Sequence, residues 1–270
     1  MAEQLKGITV ALAGPRKSEE MAKLVQNMGG TALHRPAQGT VFLDGEALRE
    51  ALVAWTQHPP DLAILTTGMG LDALFEMAGE IGLAERFQEV LSSSPIAARG
   101  YKTVNALKKR GLVPEVRDDD GSTTGLIRGL ADWDLRGKEV VLQLHGDRSP
   151  RLVAWLTEAG AVVREVQPYL HTPPEPSSLA RLLAEITEGL VDAVAFTSGP
   201  QFRFLAGYAR EQGKLGELVQ AFETKVLAVS VGKITSESLK EEGVKRIVMP
   251  EHERMGSMFV ELGRYVAANR

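Results

Sequence analysis

The sequence predicts an α/β protein built from parallel β-sheets, and two observations support this prediction. Short apolar runs alternate with amphipathic stretches, which is the pattern of folds in which helices cover the faces of a parallel sheet. The chain also contains an internal repeat, so we expect two related halves. Its 270 residues, 44% hydrophobic and 24% charged, have the composition of a globular protein large enough for two domains.

The apolar runs are near-continuous rather than alternating, which is typical of strands buried on both faces of a parallel sheet. The predicted strands are Ile8–Ala13, Leu62–Thr66, Ile96–Arg99, Val140–Leu144, Ala193–Thr197 and Val226–Val229. Apolar residues recur at helical spacing in the stretches that follow them. The predicted helices are Glu19–Met28, Leu71–Ile81, Val104–Arg110, Leu152–Ala159, Phe202–Ala209 and Thr235–Glu242.

The internal repeat is clearest in a strand that begins with an acidic residue and ends in two hydroxyl residues and a glycine. Asp61–Gly68 (DLAILTTG) matches Asp192–Gly199 (DAVAFTSG). Two further sets of residues match at constant spacing. In the first, Gly100, Thr103, Leu107 and Gly111 correspond to Gly232, Thr235, Leu239 and Gly243. In the second, Gly7, Val10 and Leu12 correspond to Gly137, Val140 and Leu142. The repeat predicts two copies of one strand-and-helix unit.

Two Pro-containing extended stretches interrupt the alternation of strands and helices. Arg35–Phe42 and Glu165–Pro174 lie near the start of each copy and are typical of connections between domains. Two such crossings predict that the chain leaves one domain and later returns to it.

Composition excludes several classes of function. The chain has no cysteine, which excludes disulfides, thiolate metal sites and cysteine nucleophiles. Its five histidines show no paired metal-ligand spacing, so we expect no metal. A net charge of −4 without a basic stripe argues against nucleic acid. Without an apolar run of about 20 residues or a secretory signal, we expect a cytoplasmic protein that does not bind membranes.

Four strand-to-helix turns are the candidate ligand-binding elements. At the carboxyl ends of parallel strands, helix N-terminal N–H groups and hydroxyls face a ligand, and the helix dipole favours an anion. The alternative for each residue is simple helix capping. The turns contain Thr66, Thr67 and Gly68; Gly100 to Thr103; Thr197, Ser198 and Gly199; and Gly232, Lys233 and Thr235.

Cationic residues near these turns are candidate partners for ligand carboxylates. They include Arg16, Arg99, Arg148 and Lys233, and the alternative for each is an ordinary solvated charge. Tyr169 lies in the second connection, where its hydroxyl is a candidate proton or hydrogen-bond donor. The alternative is that its ring packs against the connection.

Two runs of the second half resemble the uroporphyrinogen-III synthases. These are Ala193–Leu205 (AVAFTSGPQFRFL) and Leu227–Leu239 (LAVSVGKITSESL). The family has an apolar strand ending in a Thr/Ser pair and, further along, a glycine, two variable positions and a threonine that opens a helix. The resemblance extends over nearly the whole chain. Some members have two successive threonines where this chain has Ile234-Thr235, which leaves Thr235 as the one hydroxyl there.

The resemblance implies two flavodoxin-like parallel-sheet domains joined by a two-stranded β-ladder. One domain would be discontinuous, from residues 1–36 plus 172–270, and the other would comprise 44–164. Residues 37–43 and 165–171 would be the linkers.

The resemblance also implies an activity. Family members bind hydroxymethylbilane, a linear octacarboxylate, between the domains. They eliminate its terminal hydroxyl to form an azafulvene, invert the last pyrrole ring through a spiro intermediate and close the macrocycle. No metal or organic cofactor is implied. We expect a monomer that makes transient contact with hydroxymethylbilane synthase, and a locally positive cleft despite the net charge of −4.

Residue roles follow from the same resemblance. Tyr169 matches the linker tyrosine that assists loss of the hydroxyl. The positions that match substrate-binding hydroxyls are Thr66, Thr67, Thr103, Thr197, Ser198 and Thr235.

Two other classes remain open on the residues alone. A non-catalytic two-domain protein that binds or senses a small molecule would share the repeat, the connections and the donor-rich turns. A flavin or nucleotide enzyme would share the flavodoxin-like domains, although the chain has no GxGxxG or other phosphate-binding fingerprint.

Overall fold

The computed structural model describes residues 3–43 and 45–269, and the chain divides into two compact units. Unit 1 comprises Met1–Gly39 with Thr172–Arg270, and unit 2 comprises Thr40–His171. The ends of the expected domains at residues 1, 44 and 270 lie outside the described residues.

Unit 1 is a five-stranded parallel sheet covered by helices on both faces. Its strands are β1 (Thr9–Leu12), β2 (Thr31–His34), β10 (Ala193–Phe196), β11 (Leu227–Ser230) and β12 (Ile247–Val248). Its helices are α1 (Ser18–Asn27), α8 (Pro176–Glu188), α9 (Gly199–Glu211), α10 (Leu215–Thr224), α11 (Lys233–Glu241) and α12 (Met255–Ala268). The spatial order β2-β1-β10-β11-β12 is the 2-1-3-4-5 order of flavodoxin-like folds.

Burial periodicity explains how unit 1 packs. In α8, Leu179, Leu182, Leu183 and Ile186 are buried at the spacing of one helical face, so this stripe faces the sheet. In β10, Val194 and Phe196 belong to the core under α8 and α9, whereas Ala193 and Ala195 belong to the core under α1 and α12. Burial on both faces is why the run is continuously apolar.

Unit 2 has the same architecture with a different chain order. Its strands are β4 (Leu62–Leu65), β5 (Ile96–Ala98), β6 (Val116–Arg117), β7 (Glu139–Gln143) and β8 (Val162–Val166). Its helices are α2 (Glu46–Gln57), α3 (Gly68–Glu80), α4 (Ala84–Ser93), α5 (Tyr101–Lys108), α6 (Thr123–Leu130) and α7 (Pro150–Glu158). The parallel order β6-β5-β4-β7-β8 matches that of unit 1 if the chain enters at the third strand, so unit 2 is a circular permutation of the same fold.

The internal repeat is confirmed, and its acidic residue has a structural role. Asp61 Oδ2 accepts a hydrogen bond from the N–H of Glu139 at 2.9 Å, and Asp192 Oδ2 accepts one from the N–H of Thr9 at 2.7 Å. In both units the acid thus binds the first residue of the neighbouring strand, since β7 begins at Glu139 and β1 at Thr9. This bond fixes the register of the two central strands.

The predicted α/β class and the two-stranded ladder are confirmed. Strands β3 (Gly39–Phe42) and β9 (Tyr169–Thr172) pair antiparallel where the chain passes between the units. Each predicted strand and helix coincides with an observed one, with shifts at the ends. Strand β8 continues to Val166, inside the segment 165–171 expected as a linker. Within residues 3–43 and 45–269, no helix has the length and apolar character needed to cross a membrane.

Candidate functional site

The first candidate turn of unit 2 lies where the strand order reverses between β4 and β7, which is the position where open α/β sheets bind ligands. Thr66 and Thr67 follow β4, and Gly68 opens α3. Thr67 caps this helix, because its Oγ1 accepts the N–H of Gly70 at 3.1 Å. A β-carbon at Gly68 would lie 2.7 Å from the backbone oxygen of Lys102, so glycine permits close packing of α3 on α5.

A fully buried glutamine at the end of β7 organises this turn. Gln143 Oε1 accepts the backbone N–H groups of Thr66 at 3.1 Å and Thr67 at 3.2 Å. Its Nε2 donates to Thr67 Oγ1 at 3.2 Å and to the backbone oxygen of Leu144. The Thr66 hydroxyl donates to the backbone oxygen of Gln143 at 2.6 Å. The strand-end amides are therefore already paired within the protein.

Tyr169 belongs to the same cluster. Its hydroxyl lies 3.1 Å from Thr67 Oγ1, and the residue is 1% exposed. The ring packs against Phe42 and His171, with centroid distances of 6.1 and 5.4 Å. Gly146 adopts φ +87°, and a β-carbon there would lie 2.7 Å from a ring carbon of Tyr169. A glycine is thus required at 146 both for the backbone conformation and for the position of the ring.

Arg99 brings a positive charge to this cluster from the end of β5. Its Nη1 donates to Thr123 Oγ1 at 3.0 Å. Burial lowers the pKa of the guanidinium, and negative charge on Tyr169 or Asp118 opposes that effect. The guanidinium still remains charged, because arginine does not lose its proton in proteins. Arg99 therefore places a fixed positive charge close enough to interact with negative charge on Tyr169 or Asp118.

The corresponding turn of unit 1 has the same polar character. Thr197 and Ser198 follow β10, and Gly199 opens α9. Gln201 Oε1 accepts the N–H of Thr197 at 2.8 Å, and its Nε2 donates to Thr197 Oγ1 at 3.0 Å. The Ser198 hydroxyl donates to Gln38 Oε1 at 2.6 Å.

Each unit has a buried glutamine at this turn, but the two glutamines come from different secondary-structure elements. In the repeat, Gln201 corresponds to Gly70, and Gln143 corresponds to Ala13. A β-carbon at Gly70 would lie 2.6 Å from Gln143 Cδ, so the glycine leaves the space that the amide fills. The helix supplies the amide in unit 1 and the strand supplies it in unit 2.

The other two candidate turns carry a carboxylate of the protein. Asp118, which follows β6, accepts the backbone N–H of Gly100 before α5. Glu253, which follows β12, accepts the N–H of Lys233 at the start of α11 at 3.2 Å. A β-carbon at Gly232 would lie 2.5 Å from Glu253 Cδ. The N-termini of α5 and α11 are therefore already bound by a carboxylate of the protein. From the sequence we expected these N-termini to be open to an anion of the ligand.

The predicted site residues fall into four groups. Thr66, Thr67, Gly68 and Tyr169 form one hydrogen-bonded cluster in unit 2, and Thr197, Ser198 and Gly199 form one turn in unit 1. Thr103 and Thr235 are 1% and 4% exposed inside α5 and α11. The cations Arg16, Arg148 and Lys233 are exposed, the first two in the loops after β1 and β7.

Sequence reasoning missed Gln38, Gln143, Gln201, Asp118 and Glu253. Glutamines have no motif of their own, and these acids lie in loops whose sequences do not repeat. Among residues 3–43 and 45–269, no group of three or more His, Asp or Glu side chains is arranged to hold a metal ion.

The fold and the site define a class of protein: two flavodoxin-like units, related by circular permutation, with hydrogen-bond donors at the carboxyl edge of each sheet. The chain belongs to the uroporphyrinogen-III synthase family, since the family model "Uroporphyrinogen-III synthase HemD" matches residues 19–260. The resemblance inferred from the strand and turn motifs is therefore confirmed, and the family has a lyase-type activity in tetrapyrrole biosynthesis.

Several individual proteins are similar to this chain. A crystal structure of mutant uroporphyrinogen III synthase from the extremely thermophilic bacterium Thermus thermophilus is 33% identical, with a TM-score of 0.81 over 97% of this chain and 100% of that one. The uroporphyrinogen-III synthetase of Helicobacter pylori 26695 shares the fold at 14% identity, with a TM-score of 0.57 over 97% and 100% of the chains. The Bacillus subtilis (strain 168) protein YjjA, described as uncharacterized, is 44% identical over 265 residues, 98% of each chain.

Proposed function

We propose that this chain is a uroporphyrinogen-III synthase that cyclises hydroxymethylbilane with inversion of the last pyrrole ring and loss of water. The family membership and the 33% identity to the Thermus thermophilus enzyme support the reaction class. Within the site, the observation that supports the proposal is the hydrogen bond between Thr67 and Tyr169 together with the positive charge of Arg99, since these groups would assist proton donation by the phenol.

The first chemical step requires a proton on the departing hydroxyl. Tyr169 donates its phenolic proton to that oxygen, the C–O bond breaks and water leaves. The pyrrole nitrogen supplies the electrons and then loses its own proton, which gives the neutral azafulvene and allows the phenol to be restored. Arg99 stabilises the transient phenolate, so the charge that develops on Tyr169 meets a fixed cation.

The later steps require positioning more than acid–base chemistry. The azafulvene is reactive and closes unaided to the symmetric isomer, so the enzyme directs which pyrrole carbon is attacked. Ser198 in unit 1 and the exposed cations Arg16, Arg148 and Lys233 are the groups we propose to hold ligand carboxylates. Bidentate contacts from arginine are particularly suited to this role.

Thr66, Thr103, Thr197 and Thr235 have buried or paired hydroxyls, so we propose that they shape the turns that contact the ligand. Gly68, Gly199 and Gly232 allow the close packing that brings the turns together within each unit. We further propose that the protein acts in the cytoplasm as a monomer without metal or organic cofactor, and that it receives its substrate through transient contact with hydroxymethylbilane synthase.

The proposal is tested by supplying freshly made hydroxymethylbilane and resolving the uroporphyrin isomers after oxidation. We expect predominantly the type III isomer. Folded protein that yields only the type I isomer would contradict the proposal. If such protein nevertheless bound hydroxymethylbilane, the result would favour the non-catalytic binding function.

Tyr169→Phe separates the role of the phenol from that of the ring. The variant keeps the packing against Phe42 and His171 but loses the donor, so we expect kcat to fall by roughly 100-fold. Tyr265→Phe, in helix α12 of unit 1 and outside the four candidate turns, is the matched control. Equal rates for the two variants would remove Tyr169 from the mechanism and leave the reaction assignment intact.

A further inference from the structure

We propose that Gln143 and Thr67 are positioning residues that fix the direction in which Tyr169 donates its proton. The hydrogen bonds around these side chains form a one-way chain from the Gln143 amide through the Thr67 hydroxyl to the phenol oxygen. The direction of the bonds follows from the local geometry, and its catalytic consequence rests on the proposed function.

The orientation of the Gln143 amide is fixed by its partners. Backbone N–H groups can only donate, and those of Thr66 and Thr67 both point at one atom, which must therefore be the amide oxygen. The NH2 group consequently faces Thr67 Oγ1 at 3.2 Å and the Leu144 carbonyl. Gln143 is 0% exposed, so the surrounding residues hold this orientation without competition from bulk water.

The orientation of the Thr67 hydroxyl follows. A threonine hydroxyl can donate once and accept twice. Two of its neighbours are N–H groups that can only donate: the Gly70 amide at 3.1 Å and Gln143 Nε2 at 3.2 Å. With both lone pairs engaged, the Thr67 proton is left for the third neighbour, the Tyr169 oxygen at 3.1 Å.

Tyr169 is therefore an acceptor toward Thr67, and its own O–H is directed away from Thr67. A hydrogen bond received by the phenol oxygen stabilises the phenolate that remains after proton transfer. If the bond ran in the opposite direction, the phenol proton would be held by Thr67 and would have to be released before it could reach a ligand. Gln143 and Gly70 together exclude that arrangement, because their N–H groups occupy both lone pairs of the Thr67 oxygen.

Unit 1 has a related arrangement that differs in one point, because its glutamine donates to the first hydroxyl of the turn and not to the second. Gln201 also accepts a strand-end N–H and donates to the adjacent threonine. Ser198, at the position equivalent to Thr67, donates its proton to Gln38 Oε1 at 2.6 Å. In both units the second hydroxyl of the turn thus donates to a side-chain oxygen, that of Tyr169 in unit 2 and that of Gln38 in unit 1.

Kinetic variants test the catalytic consequence. Thr67→Val removes the bond to Tyr169 while keeping the shape of the side chain, and Thr67→Ser keeps the hydroxyl. We expect kcat to fall by roughly 10- to 100-fold in Thr67→Val, with KM for hydroxymethylbilane within about twofold, and to recover within about threefold in Thr67→Ser. Thr56→Val, at a buried hydroxyl in α2 that bonds only within its helix in the contacts observed, controls for loss of a buried hydroxyl in unit 2.

The control should change kcat by less than about twofold, since Thr56 lies outside the turn. Gln143→Glu, assayed at pH 8, replaces the NH2 donor by an acceptor, so we expect the same kcat loss as in Thr67→Val. Wild-type kcat in folded Thr67→Val or Gln143→Glu would overturn the inference. That outcome differs from failure of the proposed function, in which the unmodified protein itself forms no type III isomer.

Neutron diffraction from the deuterated protein tests the direction without any assay of activity. We expect the deuteron of Thr67 to lie between its Oγ1 and the Tyr169 oxygen, with the Tyr169 deuteron pointing elsewhere. A Tyr169 deuteron directed at Thr67 Oγ1 would overturn the inference, whatever reaction the protein catalyses.

Discussion

Gly70→Ala tests whether the space beside Gln143 is essential to unit 2. The new methyl group would lie 2.6 Å from Gln143 Cδ and 2.9 Å from Thr67 Oγ1, far inside van der Waals contact. Because Gln143 is fully buried, its amide cannot swing into solvent and must leave its partners. The substitution therefore separates Gln143 from the N–H groups of Thr66 and Thr67.

The magnitude follows from these two amides. Each buried N–H left without an acceptor costs about 1–3 kcal/mol. Partial relaxation and the better helix propensity of alanine offset part of this loss, so we expect the free energy of unfolding to fall by about 2–4 kcal/mol. With a urea m-value of about 2 kcal/mol/M, the unfolding midpoint would fall by about 1–2 M.

Tryptophan fluorescence measures this change in unit 2 alone. All three tryptophans, at positions 55, 133 and 155, lie in unit 2, so urea unfolding followed by their emission is not confused with unfolding of unit 1. Gly79→Ala in the same helix is the control, because outside its own stretch of helix a β-carbon there would meet no described atom within 4 Å. We expect it to leave the midpoint unchanged or raise it slightly. Equal midpoints for the two variants would refute the reasoning.

Three further predictions concern unit 1 and are measured by circular dichroism during unfolding. Hydrogen bonds from Arg35 lower the pKa of Glu185 in the folded protein. The ionised carboxylate therefore contributes to the free energy of unfolding above about pH 4.3, and this contribution is lost as the pH falls through the folded-state pKa. Glu185→Gln should thus lower the free energy of unfolding by about 1–3 kcal/mol at neutral pH and by much less at pH 3. If the variant and the unmodified protein differed by the same amount at both pH values, the prediction would be wrong. Gly207→Ala, in the middle of α9, should raise the free energy of unfolding by about 1 kcal/mol, since outside its own stretch of helix the new carbon would meet no described atom within 4 Å. Lys17→Gly should stabilise by about 0.5–1 kcal/mol, because Lys17 holds φ 57°; lower stability would refute either of these two predictions.

The parts of the fold that the sequence predicts are those with a strong local pattern. Asp61 and Asp192 begin equivalent buried strands, so the repeat is visible in the residues themselves. Strands β6 and β12 contain only two residues each, which is too short for any periodicity to emerge. Strand β2 lies at a sheet edge, where it is partly exposed, and its sequence is correspondingly only weakly apolar.

The site was predictable only in part because hydrogen-bond partners come from different positions in the two units. The hydroxyl turns repeat in sequence, but Gln143 and Gln201 do not occupy equivalent places. A comparison of the two halves therefore identifies the hydroxyl residues, which occupy equivalent positions. It does not identify the glutamine amides that orient them, because these amides do not. Asp118 and Glu253 are hidden in a similar way, because only the folded loops bring them to the helix N-termini.

The interruption of unit 1 has a consequence for how the chain folds during synthesis. Strand β1 needs β10 as its neighbour, yet 132 residues, Thr40–His171, are translated between the two parts of unit 1. At about 5–20 residues per second, this insertion takes roughly 7–26 s to emerge. Unit 2 is continuous and can complete its sheet in that time, whereas the first strands of unit 1 must wait. We therefore expect the nascent chain to complete unit 2 before unit 1, and the apolar strand β1 to be the segment most exposed to misassociation on the ribosome.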